Sequence, residues 1–222
     1  MIDRVRTGRN WVALTFDDGP SPETTPEIVQ VLARHGAKAT FFCVGKAAAK
    51  HPELISQLRE QGHALANHSW SHQWLPELDR RERLAEIRRA EPYTLSSSMR
   101  LFRPPFGDYS YPVALDLRLF GYTVVAWDVA IRDWIEQDFQ TMYAALQNKV
   151  KPGSIVLLHD TLYRYCEQDY PKRDVLIAVL DRWLAEAKDK FTFVTVPDLL
   201  TAGKALKRSV KRNPRNKDLS YT

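Results

Sequence analysis

The chain has 222 residues, of which 44% are hydrophobic, enough to bury the core of one large α/β domain. Its apolar runs all fall short of the roughly 18 residues that a membrane-spanning helix needs. With only two cysteines, neither a disulfide framework nor a cysteine metal site is expected. The composition therefore favours a single globular domain over a membrane-spanning or disulfide-stapled protein.

The net charge of +5 is unevenly distributed along the chain. Residues after Gly203 carry seven Lys or Arg and one Asp, a net charge of +6, which leaves the rest of the chain at −1. We therefore predict a folded domain over residues 1–203 and a basic tail over residues 204–222, which either contacts an anionic surface or is a solvated end. Residues Met1–Arg6 lead into no apolar segment of the kind found in a signal peptide. A cytoplasmic location is expected if Met1 is the native start, and a secreted or membrane-associated one if a leader has been removed.

Apolar strands and amphipathic helices alternate along the chain. The predicted strands are Val12–Phe16, Ala39–Val44, Ala64–Asn67, Leu101–Arg103, Thr123–Trp127, Ser154–Leu158 and Phe191–Val196. The predicted helices are Pro22–His35, Pro52–Gln61, Leu78–Ser96, Tyr111–Phe120, Asp138–Val150, Asp174–Ala187 and Pro197–Ala205. This alternation predicts a parallel sheet covered by helices, either as a barrel or as a doubly wound sheet.

Two adjacent carboxylates, Asp17 and Asp18, stand at the end of the first predicted strand and are followed by Gly19 and Pro20. An apolar run that stops at Gly-Pro is typical of a buried strand that ends in a sharp turn. On a structural interpretation, each buried acid needs its own cation. On a functional one, one acid binds a metal ion and the other acts beside it as a base. The pair alone leaves both interpretations open.

Further polar residues follow the ends of other predicted strands, and this favours the functional interpretation. In parallel α/β folds the catalytic groups lie at the carboxyl ends of the strands. The candidates at these positions are Asp17, Asp18, His68, Arg103, Asp128, Asp133, His159 and Asp160.

His68 and His72 are four residues apart, a spacing that puts two side chains on one face of a helical turn. Neutral imidazoles in this arrangement can share a zinc ion. The histidine pair alone is a weak indication, but together with Asp17 and Asp18 it predicts a site of two histidines and one carboxylate. Such a set leaves a position for water and is typical of catalytic rather than structural zinc.

His159 ends the strongly apolar strand predicted over Ser154–Leu158. It is either a hydrogen-bonded core histidine or a general acid at the rim of the site. In the second case Asp133 can accept a hydrogen bond from one ring nitrogen, and Arg103 can hold a carboxylate in a bidentate pair.

Aromatic residues gather near the same segments, and Phe106 and Tyr109 are examples. They are either core residues or candidates for stacking on the flat faces of sugar rings. The aromatic segment Thr161–Arg173 either covers the site or is a surface loop.

Five segments, TFDDGPS, HSWSH, RPPFG, WDVAIRDW and LLHD, occur in this order within about Val12 to Leu200. Together they resemble the polysaccharide deacetylase family of carbohydrate esterases, which includes chitin, chitooligosaccharide and peptidoglycan N-acetylglucosamine deacetylases. The resemblance implies a distorted (β/α) barrel of about seven parallel strands surrounded by helices. It also implies a divalent metal ion, most often zinc, with cobalt and nickel as alternatives.

The resemblance further implies a role for each matching residue. The expected metal ligands are Asp18, His68 and His72. The expected catalytic residues are Asp17 as general base, Arg103 holding it, His159 as general acid and Asp133 tethering it. The expected substrate-binding residues are Pro105, Phe106, Tyr109, Trp134 and Leu157. Of these, Trp134 and Leu157 would wall the acetyl pocket, and the Phe106 N–H would stabilise the oxyanion. The family often has an acid where this chain has Ala130, which points to a changed loop or substrate preference there.

The leading hypothesis is therefore a metal-dependent N-deacetylase, with its catalytic domain over residues 1–203, that acts on an N-acetylated oligosaccharide or polysaccharide and releases acetate. One alternative is a related amide hydrolase, such as a deformylase of a lipid-linked sugar or an amidase of a small cyclic imide. A non-catalytic carbohydrate-binding protein ranks lower, because Asp17 and His159 are both present. Nucleic acid is not an expected partner, although the basic tail keeps salt-dependent binding open to test.

Overall fold

The structure is a computed structural model that describes residues 1–95, 99–163 and 172–207. Its strands are β1 (Ile2–Thr7), β2 (Trp11–Asp17), β3 (Ala39–Cys43), β4 (Ala64–Asn67), β5 (Leu101–Phe102), β6 (Thr123–Val124), β7 (Val129–Ala130), β8 (Ile155–His159), β9 (Thr192–Phe193) and β10 (Gly203–Lys207). Strands β2 to β8 form one parallel sheet in the order β6-β5-β4-β3-β2-β8-β7, and β9 pairs with the start of β2. The sheet curls into a half-barrel, which confirms the predicted distorted barrel of seven parallel strands.

Helices surround this sheet. They are α1 (Thr25–Arg34), α2 (Gly45–Lys50), α3 (Pro52–Glu60), α4 (Arg80–Arg89), α5 (Glu91–Thr94), α6 (Tyr111–Leu119), α7 (Phe139–Lys149), α8 (Asp174–Ala187) and α9 (Val196–Thr201). Within the described ranges, no helix combines the length and the apolar character needed to traverse a bilayer.

The core lies between the sheet and these helices. Strand β2 is buried along nearly its whole length, as expected for a parallel strand covered on both faces. The ring of Phe16 stacks on Phe41 of β3, with ring centroids 5.1 Å apart. Trp183 of α8 packs edge-on against Phe193 of β9. These contacts fix the positions of the strands whose carboxyl ends carry the polar candidates.

The single helix predicted over Leu78–Ser96 is wrong in extent, because two helices occupy this segment. Asp79 begins α4 with a reciprocal capping box in which its side chain accepts from the Glu82 N–H and the Glu82 side chain accepts from the Asp79 N–H. Helix α4 ends at Arg89, and the short α5 follows with a proline in its first turn. Proline supplies no N–H to continue the preceding helix. Residue 96 lies outside the described ranges.

The strand predicted over Thr123–Trp127 is shorter in the structure, where β6 ends at Val124. The carbonyls of Val125 and Ala126 accept hydrogen bonds from the Arg103 guanidinium. The two carbonyls therefore bind a side chain of the rim, while the Val125 N–H still donates to the Phe102 carbonyl oxygen.

The two ends of the described chain pair with each other in a separate two-stranded antiparallel sheet of β1 and β10. The predicted basic tail begins at residue 204, whereas ordered structure continues to Lys207. A Cβ on Gly203 would lie 2.1 Å from the Arg6 carbonyl oxygen, so the close approach of these strands requires glycine. Residues 208–222, which carry the rest of the predicted tail, lie outside the described residues.

Candidate metal centre and active site

The carboxyl ends of several parallel strands bring the predicted site residues to one rim of the half-barrel. Asp17, the last residue of β2, is in register with His159 at the end of β8. His68 follows β4, and Arg103 follows β5. Asp133 joins them from the segment after β7, where it contacts His159.

Asp17 and Asp18 both reach this rim because the backbone turns between them. Asp18 has φ of 82°, a left-handed conformation that is uncommon for a non-glycine residue. This ends the alternation of the strand, so the two neighbouring side chains do not point to opposite faces of the sheet. Their partners differ, since Asp17 Oδ1 accepts from Arg103 and Asp18 Oδ1 lies beside two imidazoles.

Asp18, His68 and His72 form a buried cluster whose possible ligand atoms all lie within 4.8 Å of one another. Asp18 Oδ1 is 3.4 Å from His68 Nε2 and 3.3 Å from His72 Nε2. This oxygen is buried and has no hydrogen-bond partner among the described residues, although a buried polar atom normally has one. Two imidazole nitrogens facing an unpartnered carboxylate oxygen are a donor set that suits a divalent transition metal such as zinc.

The hydrogen bond of His68 sets which of its nitrogens faces this cluster. Its Nδ1 lies 2.7 Å from the carbonyl oxygen of Arg103, so Nδ1 carries the proton and donates it. Nε2 therefore faces Asp18, and in the neutral ring it carries the lone pair that a metal ion would bind.

The segment from His68 to His72 is a loop and not the predicted helical turn. Ser69 and His72 take left-handed backbone conformations, with φ of 66° and 56°. The Ser69 N–H donates to Asn67 Oδ1, and the His72 N–H donates to Ser69 Oγ. Local side-chain acceptors therefore replace helical hydrogen bonds here.

Glu86 of α4 also holds this loop, and the sequence analysis missed it. Its buried carboxylate accepts from both the N–H and the Oγ–H of Ser71, each at 2.8 Å. A short run such as Ala85-Glu86-Ile87 shows no sign of this role, because the contact spans fifteen residues.

The electrostatics of the cluster keep Asp18 ionised. Burial alone would raise its pKa, but the neighbouring imidazoles of His72 and His68 outweigh burial and hold the pKa of Asp18 well below its usual range. The carboxylate is therefore available as an anionic ligand at neutral pH.

Arg103 binds Asp17 through a single nitrogen and not through the bidentate pair expected. Its Nη1 donates to Asp17 Oδ1 at 2.6 Å and to Thr15 Oγ1 at 2.8 Å. The other donors go to the carbonyls of Val125 and Ala126. The guanidinium is fully buried, and this network fixes it behind the carboxylate.

His159 and Asp133 form the second pair at the rim. The ring Nδ1 lies 3.1 Å from Asp133 Oδ1, and the His159 N–H donates to Asp133 Oδ2 at 2.9 Å. Burial lowers the pKa of His159, but the Asp133 carboxylate, assisted by Asp18 and Asp17, outweighs it and raises the pKa to about 9. The imidazole is therefore protonated at neutral pH.

The chain is similar to known proteins whose family has been described. The family model described as polysaccharide deacetylase matches residues 4–125, which is more than half of the chain. The chain belongs to the polysaccharide deacetylase family.

Individual relatives extend this match beyond residue 125. The chain is 37% identical over 195 residues to a chitooligosaccharide deacetylase of Sinorhizobium fredii, which covers 85% of this chain and 91% of that protein. It superposes on the Bc1960 peptidoglycan N-acetylglucosamine deacetylase with a TM-score of 0.79 at 28% identity, over 92% of this chain and 94% of that one. A family 4 carbohydrate esterase from Streptomyces lividans, solved in complex with acetate, gives a TM-score of 0.72 at 26% identity, over 92% and 100% of the two chains. The predicted enzyme class, an N-deacetylase hydrolase, is confirmed.

Of the residues predicted to contact substrate, Phe106 and Trp134 pack against histidines of the site. Phe106 is 41% exposed, has φ of 60°, and packs edge-on against His72 at 4.6 Å between ring centroids. Trp134 packs edge-on against His159 at 5.3 Å, and its Nε1 has no acceptor among the described residues. Leu157 is buried on β8, Pro105 is buried beside Phe106, and Tyr109 is partly buried.

Ala130, where the family often has an acid, lies on β7 in register with Leu157. Nothing in its described contacts explains why alanine stands at this position.

Two acids that were also predicted at the rim, Asp128 and Asp160, make their hydrogen bonds elsewhere. Asp128 is wrongly predicted at this rim, because its carboxylate accepts from Ser154 and Ile155 at the opposite end of β8. Asp160 is buried behind the site, where its carboxylate accepts from the Gly19 N–H and from Thr25. Burial, reinforced by the charge of Asp18, raises the pKa of Asp160 to about 7.

The loop predicted to cover the site is described only at its two ends. The Tyr163 N–H donates to Asp18 Oδ2 at 3.0 Å, and Arg173 contacts Asp133. Residues 164–171, which include Cys166, lie outside the described residues. Arg173 lies in no recognisable motif, and the sequence analysis assigned it no role.

Proposed function

We propose that this protein hydrolyses the N-acetyl amide of an amino sugar within an oligosaccharide or polysaccharide and releases acetate. The observation that carries the proposal is one rim that combines the Asp18, His68 and His72 cluster with a buried carboxylate–arginine pair and a histidine–carboxylate pair. Names of relatives support a carbohydrate substrate, since one is a chitooligosaccharide deacetylase and another a peptidoglycan N-acetylglucosamine deacetylase.

The metal ion is proposed to be zinc, held by Asp18, His68 and His72. Bound there, a divalent ion supplies the Lewis acidity that polarises an amide carbonyl and acidifies water. The buried unpartnered oxygen of Asp18 supports this assignment, as does the orientation of His68, whose Nε2 faces that oxygen. Cobalt and nickel accept the same donors and are the alternatives to zinc.

Asp17 is proposed as the general base. Water is a weak nucleophile for an amide, so a carboxylate beside the reacting carbon must remove a proton from it. Asp17 lies next to the cluster, with Oδ2 3.8 Å from His68 Nε2. Arg103 holds the other oxygen, so Oδ2 is the one that faces the reaction.

His159 is proposed as the general acid. The amine nitrogen leaves only when it gains a proton, and a protonated imidazole at neutral pH can supply it. Asp133 occupies Nδ1, so the proton delivered is the one on Nε2. After the amine has left, the same imidazole is neutral until it is reprotonated from solvent.

The acetyl group and the oxyanion need their own contacts. Leu157 and Trp134, whose ring lies against the acid, are proposed as apolar walls around the acetyl methyl group. The N–H of Phe106 is proposed as a donor to the oxyanion, supported by the packing of that residue against His72.

A substrate panel tests the proposal. Protein stripped of metal and reloaded with zinc is incubated with N-acetylglucosamine oligomers, with their N-formyl counterparts and with small cyclic imides, and the released acid is measured. We expect zinc-dependent acetate from the acetylated oligomers. Turnover of only formylated sugars or imides, or no turnover of any substrate, would contradict the proposal.

A further inference from the structure

Arg173 is a buried arginine at the start of α8 that has no role in the reaction proposed for this site. It is 2% exposed and is the residue that immediately precedes the helix. Its guanidinium contacts Asp133 and the main chain of His159. We propose that Arg173 is a positioning residue that locks the Asp133–His159 pair in its reactive arrangement.

The guanidinium joins two segments that are far apart in sequence. Its Nη2 donates to Asp133 Oδ2, and its Nη1 donates to the Asp133 carbonyl oxygen at 3.1 Å. Its Nε donates to the His159 carbonyl oxygen at 3.3 Å. Three donors in one rigid plane therefore tie the segment after β7 to the end of β8, which a single ammonium group cannot reproduce.

The two oxygens of Asp133 accept hydrogen bonds from different donors. Oδ1 takes the His159 ring nitrogen, whereas Oδ2 takes both the His159 N–H and Arg173. Because Oδ2 is held from two sides, the carboxylate has no freedom to rotate away from the imidazole. The orientation of the ring therefore depends on Arg173, although Arg173 does not touch the ring.

Arg173 also supplies the lasting cation that a wholly buried carboxylate requires. Asp133 is fully buried, and His159 carries positive charge only while it holds its second proton. Burial would raise the pKa of Asp133, but His159 and Arg173 outweigh it and lower the pKa. When His159 gives up its proton, Arg173 is the permanent partner that keeps Asp133 ionised, since arginine does not deprotonate in proteins.

A purely structural role is the competing explanation, and the chain contains a matched control for it. Arg83 of α4 is a second buried arginine paired with a buried acid, Asp116 of α6. Its Nε donates to Asp116 at 2.8 Å, and its Nη1 donates to the Leu78 carbonyl oxygen at 3.0 Å. Arg83→Gln therefore removes a comparable buried ion pair without touching the Asp133–His159 pair.

The proposal rests on the proposed function in treating His159 as the acid, so the experiment includes a readout that needs no turnover. The pKa of the His159 imidazole is measured by NMR in zinc-loaded protein, with the signal assigned through His159→Gln. Deacetylation is measured in parallel as kcat and KM. The variants are Arg173→Gln, Arg173→Lys and the control Arg83→Gln.

For Arg173→Gln we expect kcat to fall about tenfold or more, because misplacement of a reacting group is costly, with KM within about twofold. We also expect the pKa of His159 to rise, because a cation has been removed beside it while the carboxylates of Asp133, Asp18 and Asp17 still act on it. Arg173→Lys keeps the charge and should restore the pKa but not kcat. Arg83→Gln should leave the pKa of His159 unchanged.

The proposal is overturned if Arg173→Gln leaves the pKa of His159 and kcat at their parental values, or if Arg83→Gln changes both as much. Full recovery of kcat in Arg173→Lys would overturn the claim that the planar fork is needed. Should Arg173→Gln not fold, Arg173→Lys alone decides, since an unchanged kcat in that variant contradicts the proposal. If Arg173→Gln shifts the pKa of His159 but neither the parent nor any variant deacetylates the substrate, the proposed function is wrong and the positioning role of Arg173 is retained.

Discussion

Replacing Arg103 with methionine tests how strongly the site depends on the buried pair of Arg103 and Asp17. Methionine fills part of the same volume but leaves the Asp17 carboxylate, which is 3% exposed, without its cation. Breaking a buried ion pair in this way costs about 3–5 kcal/mol. The carbonyls of Val125 and Ala126 also lose their donors. We therefore expect the free energy of unfolding to fall by at least about 3 kcal/mol.

A double-mutant cycle separates this pairing from other effects of the substitution. Asp17→Asn leaves the buried Arg103 guanidinium without its counter-charge but keeps an oxygen acceptor for it, so its cost should be about 3 kcal/mol, at the lower end of the same range. In the double variant no buried carboxylate is left without its cation. Its cost should therefore be smaller than the sum of the single costs by about 1–3 kcal/mol.

The assay is urea unfolding with a chelator present, because metal bound to the native state would add its own stabilisation. Asp189→Asn, at an exposed position, serves as the control and should change stability little. If the two single costs add within about 0.5 kcal/mol in the double variant, the pair is not coupled and the reasoning is refuted.

Three further predictions concern the metal, acid stability and packing behind the site. Zinc at about one hundred times its Kd should stabilise the protein by about 2.7 kcal/mol, which corresponds to a rise in Tm of roughly 5–11 °C. Asp18→Asn should abolish this zinc-dependent rise in Tm. An equal rise in the variant would refute the assignment of Asp18 as a metal ligand. Burial lowers the pKa of His63 from 6.5 to about 4, so the unfolded chain binds the proton more readily and stability should fall by up to about 3 kcal/mol as pH drops from 6.5 to 4. His63→Gln should flatten that slope in unfolding measured across this range, and an unchanged slope would exclude His63 as its source. A Cβ on Gly19 would lie 1.9 Å from Asp160 Oδ2, whereas a Cβ on Gly8 would meet nothing within 4 Å. Gly19→Ala should therefore cost about 1–3 kcal/mol of unfolding free energy and weaken zinc binding in calorimetry, and equal results for Gly8→Ala would contradict this account of the packing.

The strands and the rim could be predicted from sequence because the carboxyl ends of parallel strands lie at the same edge of a sheet. A run such as Trp11–Asp17 is mostly apolar, ends in an acid and is followed by a turn, so both its burial and the position of its last residue follow from local pattern. Strand β7 has only two residues, too few to show any periodicity. The pairing of β1 with β10 joins opposite ends of the described chain, and no local pattern reveals it.

Backbone conformation explains much of what the sequence did not reveal about the site. Five non-glycine residues of the described ranges have positive φ, and they are Asp18, Ser69, His72, Phe106 and Arg132. Asp18 and His72 belong to the metal cluster, and Phe106 packs against His72. Such conformations are disfavoured by local sterics and persist only where surrounding contacts impose them. Glu86 and Arg173 were missed for a related reason, since each acts on a residue distant in sequence.

The most direct test compares acetate release by the parent protein and Asp17→Asn at equal zinc occupancy, with an N-acetylglucosamine oligomer as substrate. Zinc content is measured in each sample, and Asp189→Asn is the exposed control. We predict that the parent and the control release acetate at the same rate, and that Asp17→Asn binds zinc but is slower by about 10²–10⁴-fold. Parental rates of acetate release from Asp17→Asn would contradict the central claim that this carboxylate is the base of an N-deacetylase.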